Sequence, residues 1–168
     1  RGHPIPTYRS TKAAPRVRLK PDPTGGQSRP WTPAEAGLHR RGDRVVVLSH
    51  RAEAARGPLP DDVEIRLADV ARPASLVPAL TGVDALVVAL AFPGSPMEQP
   101  RRGRTFEAID AAGTERLVAA AREAGVERVV YISGAGAAPD AGRHWFRAKW
   151  RAEEAVRSSG LTWTIIRP

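Results

Sequence analysis

The segments RVVYIS (residues 128–133), HWFRAKWRAEEAVRSSG (144–160) and TWTIIRP (162–168) decide how this chain folds. The first and last are short apolar runs rich in β-branched residues, the composition of strands buried on both faces. The stretch between them is long, amphipathic and closed by Gly160, which predicts a helix. Strand, helix and strand in that order imply parallel pairing through a right-handed crossover.

The same alternation extends upstream. RVVVLS (44–49), VEIRLADV (63–70) and DALVVALAF (84–92) read as strands. SLVPAL (75–80) reads as a short helix stopped at Thr81-Gly82 despite Pro78. Residues 105–124 form a helix with Phe106, Ile109, Leu117, Ala120 and Ala121 on one stripe, closed by Gly125. The predicted class is α/β, a doubly wound parallel sheet (Rossmann-like) with ligand sites at the carboxyl ends of its strands. The only Met is Met97 and the chain stops at TIIRP, so it reads as a fragment truncated before a C-terminal substrate-binding part. A sheet that stops at its sixth strand is expected to leave apolar surface uncovered.

The N-terminal quarter breaks this regularity. Its one strand candidate, RVRLK (16–20), alternates charge with Val and Leu. One of its faces would set Arg16, Arg18 and Lys20 against a buried layer, at a cost on the order of several kcal/mol per unpaired ion. Residues 1–30 therefore read as an irregular, basic, Pro-rich segment, and residues 31–168 as the domain.

Composition narrows the function classes. The chain has 168 residues, 42% hydrophobic and 26% charged, which suits a globular domain. It has no run of 18 apolar residues and no apolar signal at its start, so no membrane partner is expected. With no Cys, thiolate metal sites are excluded and a reducing cytoplasm fits. The net charge is +8, but residues 1–43 hold nine Lys/Arg against three Asp/Glu, and the remainder is nearly balanced. A basic arm of this kind could bind phosphates non-specifically, but a solvated tail is the better account of it, and no specific nucleic acid is implied.

Taken together, RRGDRVVVLSH (40–50), GVDALVVALA (82–91), GVERVVYISGAGA (125–137) and FRAKWRAEEAVRSSGLTWTIIRP (146–168) resemble the atypical and extended short-chain dehydrogenase/reductase superfamily. The similarity is to its NmrA-like and complex-I-subunit-like branch, whose members are often labelled NAD-dependent epimerases/dehydratases, and it covers residues 38–168. It implies binding of NAD(P). The family's phosphate loop, G-x-T-G-x-x-G, falls on DPTGGQS (22–28), where Thr24 and Gly25 fit but Asp22 and Ser28 replace glycines. TPAE (32–35) is a capping box with Pro33 at the first helical position, so the helix starts well beyond the loop that should feed it.

The resemblance assigns further roles. Arg51, with His50 as a second, matches the position that meets a ribose 2′-phosphate, which prefers NADP over NAD, with a solvated surface Arg as the alternative reading in this Arg-rich chain. Asp69 and the Val70 backbone match the adenine contact, with a plain turn-capping acid as the alternative reading. Ala89, Leu90 and Ala91 end a strand where small residues let a dinucleotide lie close. For catalysis the family pairs Ser with Y-x-x-x-K, whose Tyr and Lys share a helix face. Ser133 and Lys149 match, but Trp145 stands in the Tyr position, and an indole does not exchange protons near neutral pH. His144 lies about 140° round the helix from Lys149, and Tyr131 reads as core. Lys149 could otherwise be a surface lysine beside Glu153, its i+4 neighbour. The resemblance thus implies an oxidoreductase or sugar-nucleotide epimerase relative with impaired Tyr-Lys catalysis, or a non-catalytic NAD(P)-sensing or assembly protein. The substrate is not readable.

Overall fold

The computed structural model describes residues 15–19, 33–51, 59–90 and 97–168, with only the backbone described at 15–19 and 33–35. The strands are β1 (Pro15–Leu19), β2 (Arg44–Ser49), β3 (Glu64–Leu67), β4 (Ala85–Val88), β5 (Arg128–Ile132) and β6 (Thr162–Ile166). The helices are α1 (Pro33–Arg40), α2 (Leu76–Leu80), α3 (Ala112–Glu123) and α4 (His144–Arg157). A single wide turn of π type, Phe106–Ala111, runs directly into α3. The six strands form one sheet in the order β3-β2-β1-β4-β5-β6, and every neighbouring pair is parallel. This is the doubly wound α/β arrangement expected from the alternation of strands and helices.

The N-terminal quarter differs from its sequence reading. Pro15–Leu19 is the central strand of the sheet, with Val17 opposite Val46 on one side and Leu86 on the other. The boundary drawn at residue 31 therefore falls after the first strand, not before it. The reason is backbone demand. The facing edges of β2 and β4 are rows of N–H and C=O groups inside the sheet, and each needs a partner. A strand supplied there satisfies both rows, which outweighs an unfavourable side-chain pattern.

Two apolar layers flank the sheet. On one face Val46, Leu48, Leu86, Val88, Val129 and Tyr131 meet Leu76 and Leu80 of α2, Leu117 and Ala121 of α3, and Ala152 and Val156 of α4. On the other face Val45 and Val47 pack with Leu59 and Val63, with Leu38 of α1 partly buried against them. The alternation of Val45 to Leu48 between two covered layers is why that run lacks polar residues. Edge strand β6 is less covered, and Trp163 and Ile166 are each 45% exposed.

Most elements are shorter than their sequence patterns. The strand read at 84–92 ends at Val88 and the helix read at 144–160 ends at Arg157. Gly125 and Gly160 adopt φ of +79° and +76°, so both act as the left-handed stops their positions indicated.

Candidate functional site at the carboxyl edge of the sheet

All six strands point their carboxyl ends to one edge. β1 leads towards β2 on one side, while β4 leads towards β5 on the other, so the chain diverges at the β1–β4 boundary and opens a crevice there. The described candidate residues are distributed along this edge.

Lys149 is the most deeply set of them. It lies on the inner face of α4 with Ala148, Ala152, Glu153 and Val156, and is only 4% exposed. Its Nζ donates to the Leu90 carbonyl at 3.0 Å and stands 3.0 Å from Asp110 Oδ1. It also lies 5.4 Å from the centre of the Tyr131 ring. The alternative reading of Lys149 as a surface lysine beside Glu153 is thus overturned: the residue is buried, and its counter-ion is Asp110.

Asp110 was not singled out from the sequence. It sits in the π turn, is fully buried, and its backbone carbonyl accepts from Thr114 Oγ1 at 2.6 Å. Its carboxylate is at ion-pair distance from Lys149, but neither oxygen has a hydrogen bond of good geometry. Burial pushes the Asp110 carboxyl above its ordinary value, the Lys149 ammonium opposes that shift, and the Glu98 charge adds to it. A signal was available: Asp110 lies four residues after Phe106 and seven before Leu117, on the very stripe read as apolar.

The start of the π turn is fixed by side chains. Phe106 N–H donates to Glu98 Oε1 at 2.8 Å, and Ala108 N–H donates to Thr105 Oγ1 at 3.0 Å. His144 is exposed, with Nδ1 3.8 Å from Glu98 Oε2.

Ser133 follows β5, as expected, but its hydroxyl is committed. It donates to Glu153 Oε1 at 2.6 Å. Glu153 is fully buried and also accepts from Arg157 at 2.6 Å and from Arg167 at 2.8 and 2.6 Å. Burial alone would push this carboxyl up, but the Arg167, Ser133 and Arg157 donors outweigh it and hold Glu153 below its ordinary value. Both guanidiniums also lie over the Trp150 ring, at 5.1 and 5.8 Å. Tyr131 is fully buried, in keeping with a core role, and burial with the Asp110 and Glu153 charges pushes its phenol far above its usual value.

Trp145 is 36% exposed and lies tilted against Phe146 with ring centres 4.8 Å apart. The two rings cover the loop after β5. A Cβ placed on Gly136 would stand 2.7–2.9 Å from three atoms of the Phe146 ring.

The cofactor positions of the resemblance lie along the same edge. His50 and Arg51 follow β2 and are exposed, with the Arg51 backbone held by the Ser49 hydroxyl at 2.9 and 3.1 Å. Asp69 Oδ1 accepts from Ala71 N–H at 2.8 Å, and Ser75 Oγ accepts from Asp69 N–H at 2.9 Å. Asp69 therefore braces its own turn but does not cap the short helix that follows, whose start at Arg72 and Ser75 has no side-chain cap bond, and its side chain stays one-third exposed. Val70 gives its carbonyl to Arg116 at 2.9 Å and packs over Gly113, where a Cβ would come within 3.1 Å. Ala89 is half-buried and Leu90 buried. Thr24, Gly25 and Ala91 lie outside the described residues.

One helix start draws these pieces together. The segment from Asp110 to Arg116 touches Val70 after β3 and Lys149 on α4, and Lys149 reaches Leu90 after β4. Small Ala89, exposed Arg51 and a buried ammonium on one strand edge fit a dinucleotide laid across it. Among the described residues no His/Cys/Asp/Glu group could hold a metal ion. No helix there is long and apolar enough to cross a membrane.

Comparison with known proteins agrees with this geometry. A (4-alkanoyl-5-oxo-2,5-dihydrofuran-3-yl)methyl phosphate reductase of Streptomyces griseus is 33% identical over 140 residues, 80% of this chain and 40% of that protein. The mitochondrial NADH-ubiquinone oxidoreductase 40 kDa subunit of Neurospora crassa is 32% identical over 71 residues, 42% of this chain and 19% of the subunit. The chain thus spans less than half the length of these curated relatives. Among solved structures, a short-chain dehydrogenase/reductase superfamily protein from Agrobacterium tumefaciens with bound NAD superimposes with a TM-score of 0.67 at 24% identity. An NADPH-dependent quinone oxidoreductase from Escherichia coli, complexed with NADPH, gives 0.63 at 19%. Each covers 90% of this chain and 48% of the other, and these two show the shared fold. The sequence profile of the family described as NAD(P)H-binding matches residues 34–168, and the chain belongs to that family.

Proposed function

We propose that this chain is the dinucleotide-binding part of a reductase- or epimerase-like protein of short-chain dehydrogenase/reductase type, in which the usual Tyr-Lys proton transfer is impaired. The observation that carries the reading is the Lys149 ammonium, buried on α4 and held at the Leu90 carbonyl on the crevice edge. From there it is suited to hold the hydroxyls of a nicotinamide ribose. Arg51 would take a 2′-phosphate, which favours NADP over NAD, since a guanidinium matches a phosphate in charge and geometry. Asp69 and the Val70 backbone would meet the adenine end, and Ala89 would leave room for the dinucleotide between them. Thr24 and Gly25 are the proposed phosphate contacts. When bound, the dinucleotide supplies a hydride.

The proton is the difficulty. Trp145 occupies the tyrosine position and its indole N–H does not titrate near neutral pH. Ser133, proposed to orient a substrate carbonyl, donates its proton to Glu153 instead. These two observations favour a second reading, a non-catalytic NAD(P)-sensing or assembly role. NADPH and NADH fluorescence titration, followed by NADPH oxidation against a panel of carbonyls and quinones, separates them. Binding with measurable turnover supports the reductase. Binding without turnover supports the sensor, and absence of binding refutes both.

A further inference from the structure

We propose that the arginine loop 99–104, which follows β4 on the crevice side, is an anion site that takes the phosphate group of a phosphate-monoester substrate. The inference rests on the reductase or epimerase reading and names the substrate class of that same site.

Residues 44–168 are nearly balanced in charge, yet Arg101, Arg102 and Arg104 crowd into four positions of this loop. All three are exposed, and among the described residues no carboxylate lies at ion-pair distance from any of them. The acid at the foot of the loop is committed elsewhere: Glu98 Oε1 accepts from Phe106 N–H at 2.8 Å, and its Oε2 stands 3.8 Å from His144 Nδ1. The turn that carries the arginines has one defined shape. Gln99 and Arg104 exchange backbone hydrogen bonds at 2.8 and 3.2 Å, Arg102 N–H donates to the Gln99 carbonyl at 2.9 Å, and Gly103 closes the turn at φ +64°. The backbone thus keeps three like charges together against their mutual repulsion, which a bound anion would relieve.

The loop borders both open space and the site. Gln99, Pro100, Arg101 and Arg102 line an open concavity of about 570 Å³, room enough for a small molecule. Glu98 stitches the foot of the loop to the π turn and to His144 at the start of α4. Lys149 lies five residues further along that helix, about 7.5 Å along its axis. A substrate anchored on the loop can therefore extend to the crevice edge where Lys149 sits. Arg143, exposed just before α4, adds a fourth guanidinium on that side. The donors define the ligand. A guanidinium fork matches phosphate and carboxylate oxygens alike. A phosphate monoester carries about two negative charges near neutral pH, so it balances a cluster of arginines better than a carboxylate does.

Backbone amide NMR of the chain, titrated with glycerol 3-phosphate at fixed ionic strength and saturating NADPH, tests the site, with glycerol and acetate as controls. Saturable shifts at Arg101 to Arg104 are expected from the phosphate ester, weaker ones from acetate and none from glycerol. The R101Q/R102Q double variant is expected to weaken the ester about tenfold and to leave NADPH affinity unchanged, since both side chains are exposed. Shifts that are absent from the loop, equal for acetate and the ester, or untouched by R101Q/R102Q overturn the inference. So does a loop response that vanishes at saturating NADPH, because the arginines would then hold the cofactor's own phosphates. Tighter binding of a short single-stranded oligonucleotide than of the ester, lost in R101Q/R102Q, would make the loop a nucleic-acid contact and overturns it too. If NADPH does not bind at all, the dinucleotide reading falls, and the same titration without NADPH still judges the loop.

Discussion

Replacing Glu153 with Gln tests how the carboxyl edge is held together. The carboxylate has no exposed surface and accepts from one hydroxyl and two guanidiniums at 2.6–2.8 Å. Gln keeps the shape but removes the charge and turns an NH₂ group towards a donor. Hydrogen bonds to charged groups contribute about 1.5–3 kcal/mol each. Arg157 and Arg167 are about one-third exposed and recover hydration when released, so the full sum does not apply. A net loss of about 2–3 kcal/mol is expected, equivalent to about 5–10 °C in Tm for a domain of this size. Urea unfolding followed by circular dichroism measures it. The pH dependence has a definite sign. Glu153 is held below its ordinary value in the folded chain, so its contribution is complete above the unfolded-state value, about 4.3, and fades as the pH falls through the folded one. The gap between wild type and E153Q should thus be full at pH 7 and close in acid. A gap below about 0.5 kcal/mol at pH 7, or one that widens in acid, would refute the reasoning.

Three further outcomes follow from particular contacts. Arg51→Ala should cut the preference for NADPH over NADH by about 10- to 100-fold, the value of a charge-assisted contact, and an unchanged ratio in paired titrations removes Arg51 from the 2′-phosphate. Gly136→Ala should lower stability by about 1–2 kcal/mol, because its methyl group would enter the Phe146 ring; an unchanged unfolding midpoint means the ring moves aside freely. Trp145→Tyr restores the Y-x-x-x-K spacing with Lys149. It is expected to raise NADPH-dependent carbonyl reduction, and an unchanged rate would show that the commitment of Ser133 to Glu153 also limits turnover.

What could be read before the structure depended on how local the physics was. Val45 to Leu48 announces a strand because burial on both faces removes polar residues from the run itself, and Val129 to Tyr131 does so with Val129 and Tyr131 buried and Val130 half-buried between them. The glycine stops at Gly125 and Gly160 were legible for the same reason, since a left-handed φ is a property of one residue. β1 was not. Its alternating Arg and Val argue against a central strand, and only the unpaired edges of β2 and β4, distant in sequence, demand one there. The site divided along the same line. Lys149 and Ser133 were singled out by position, but their partners were not, because Asp110 lies 39 residues before Lys149 and the Glu153 clamp draws on Arg167 across a helix and a strand. Asp69 shows the opposite case. The turn it braces through its bond to Ala71 lies two residues away in sequence, whereas its adenine contact was read from the resemblance alone.

The central claim is that a nicotinamide dinucleotide lies across the carboxyl ends of these parallel strands. Backbone amide NMR with added NADPH tests it most directly. The shifts expected are concentrated at Arg51, Asp69 to Ala71, Ala89 and Leu90, and around Lys149. Shifts confined to the amino ends of the strands or to edge strand β6, or none at saturating NADPH, would contradict it.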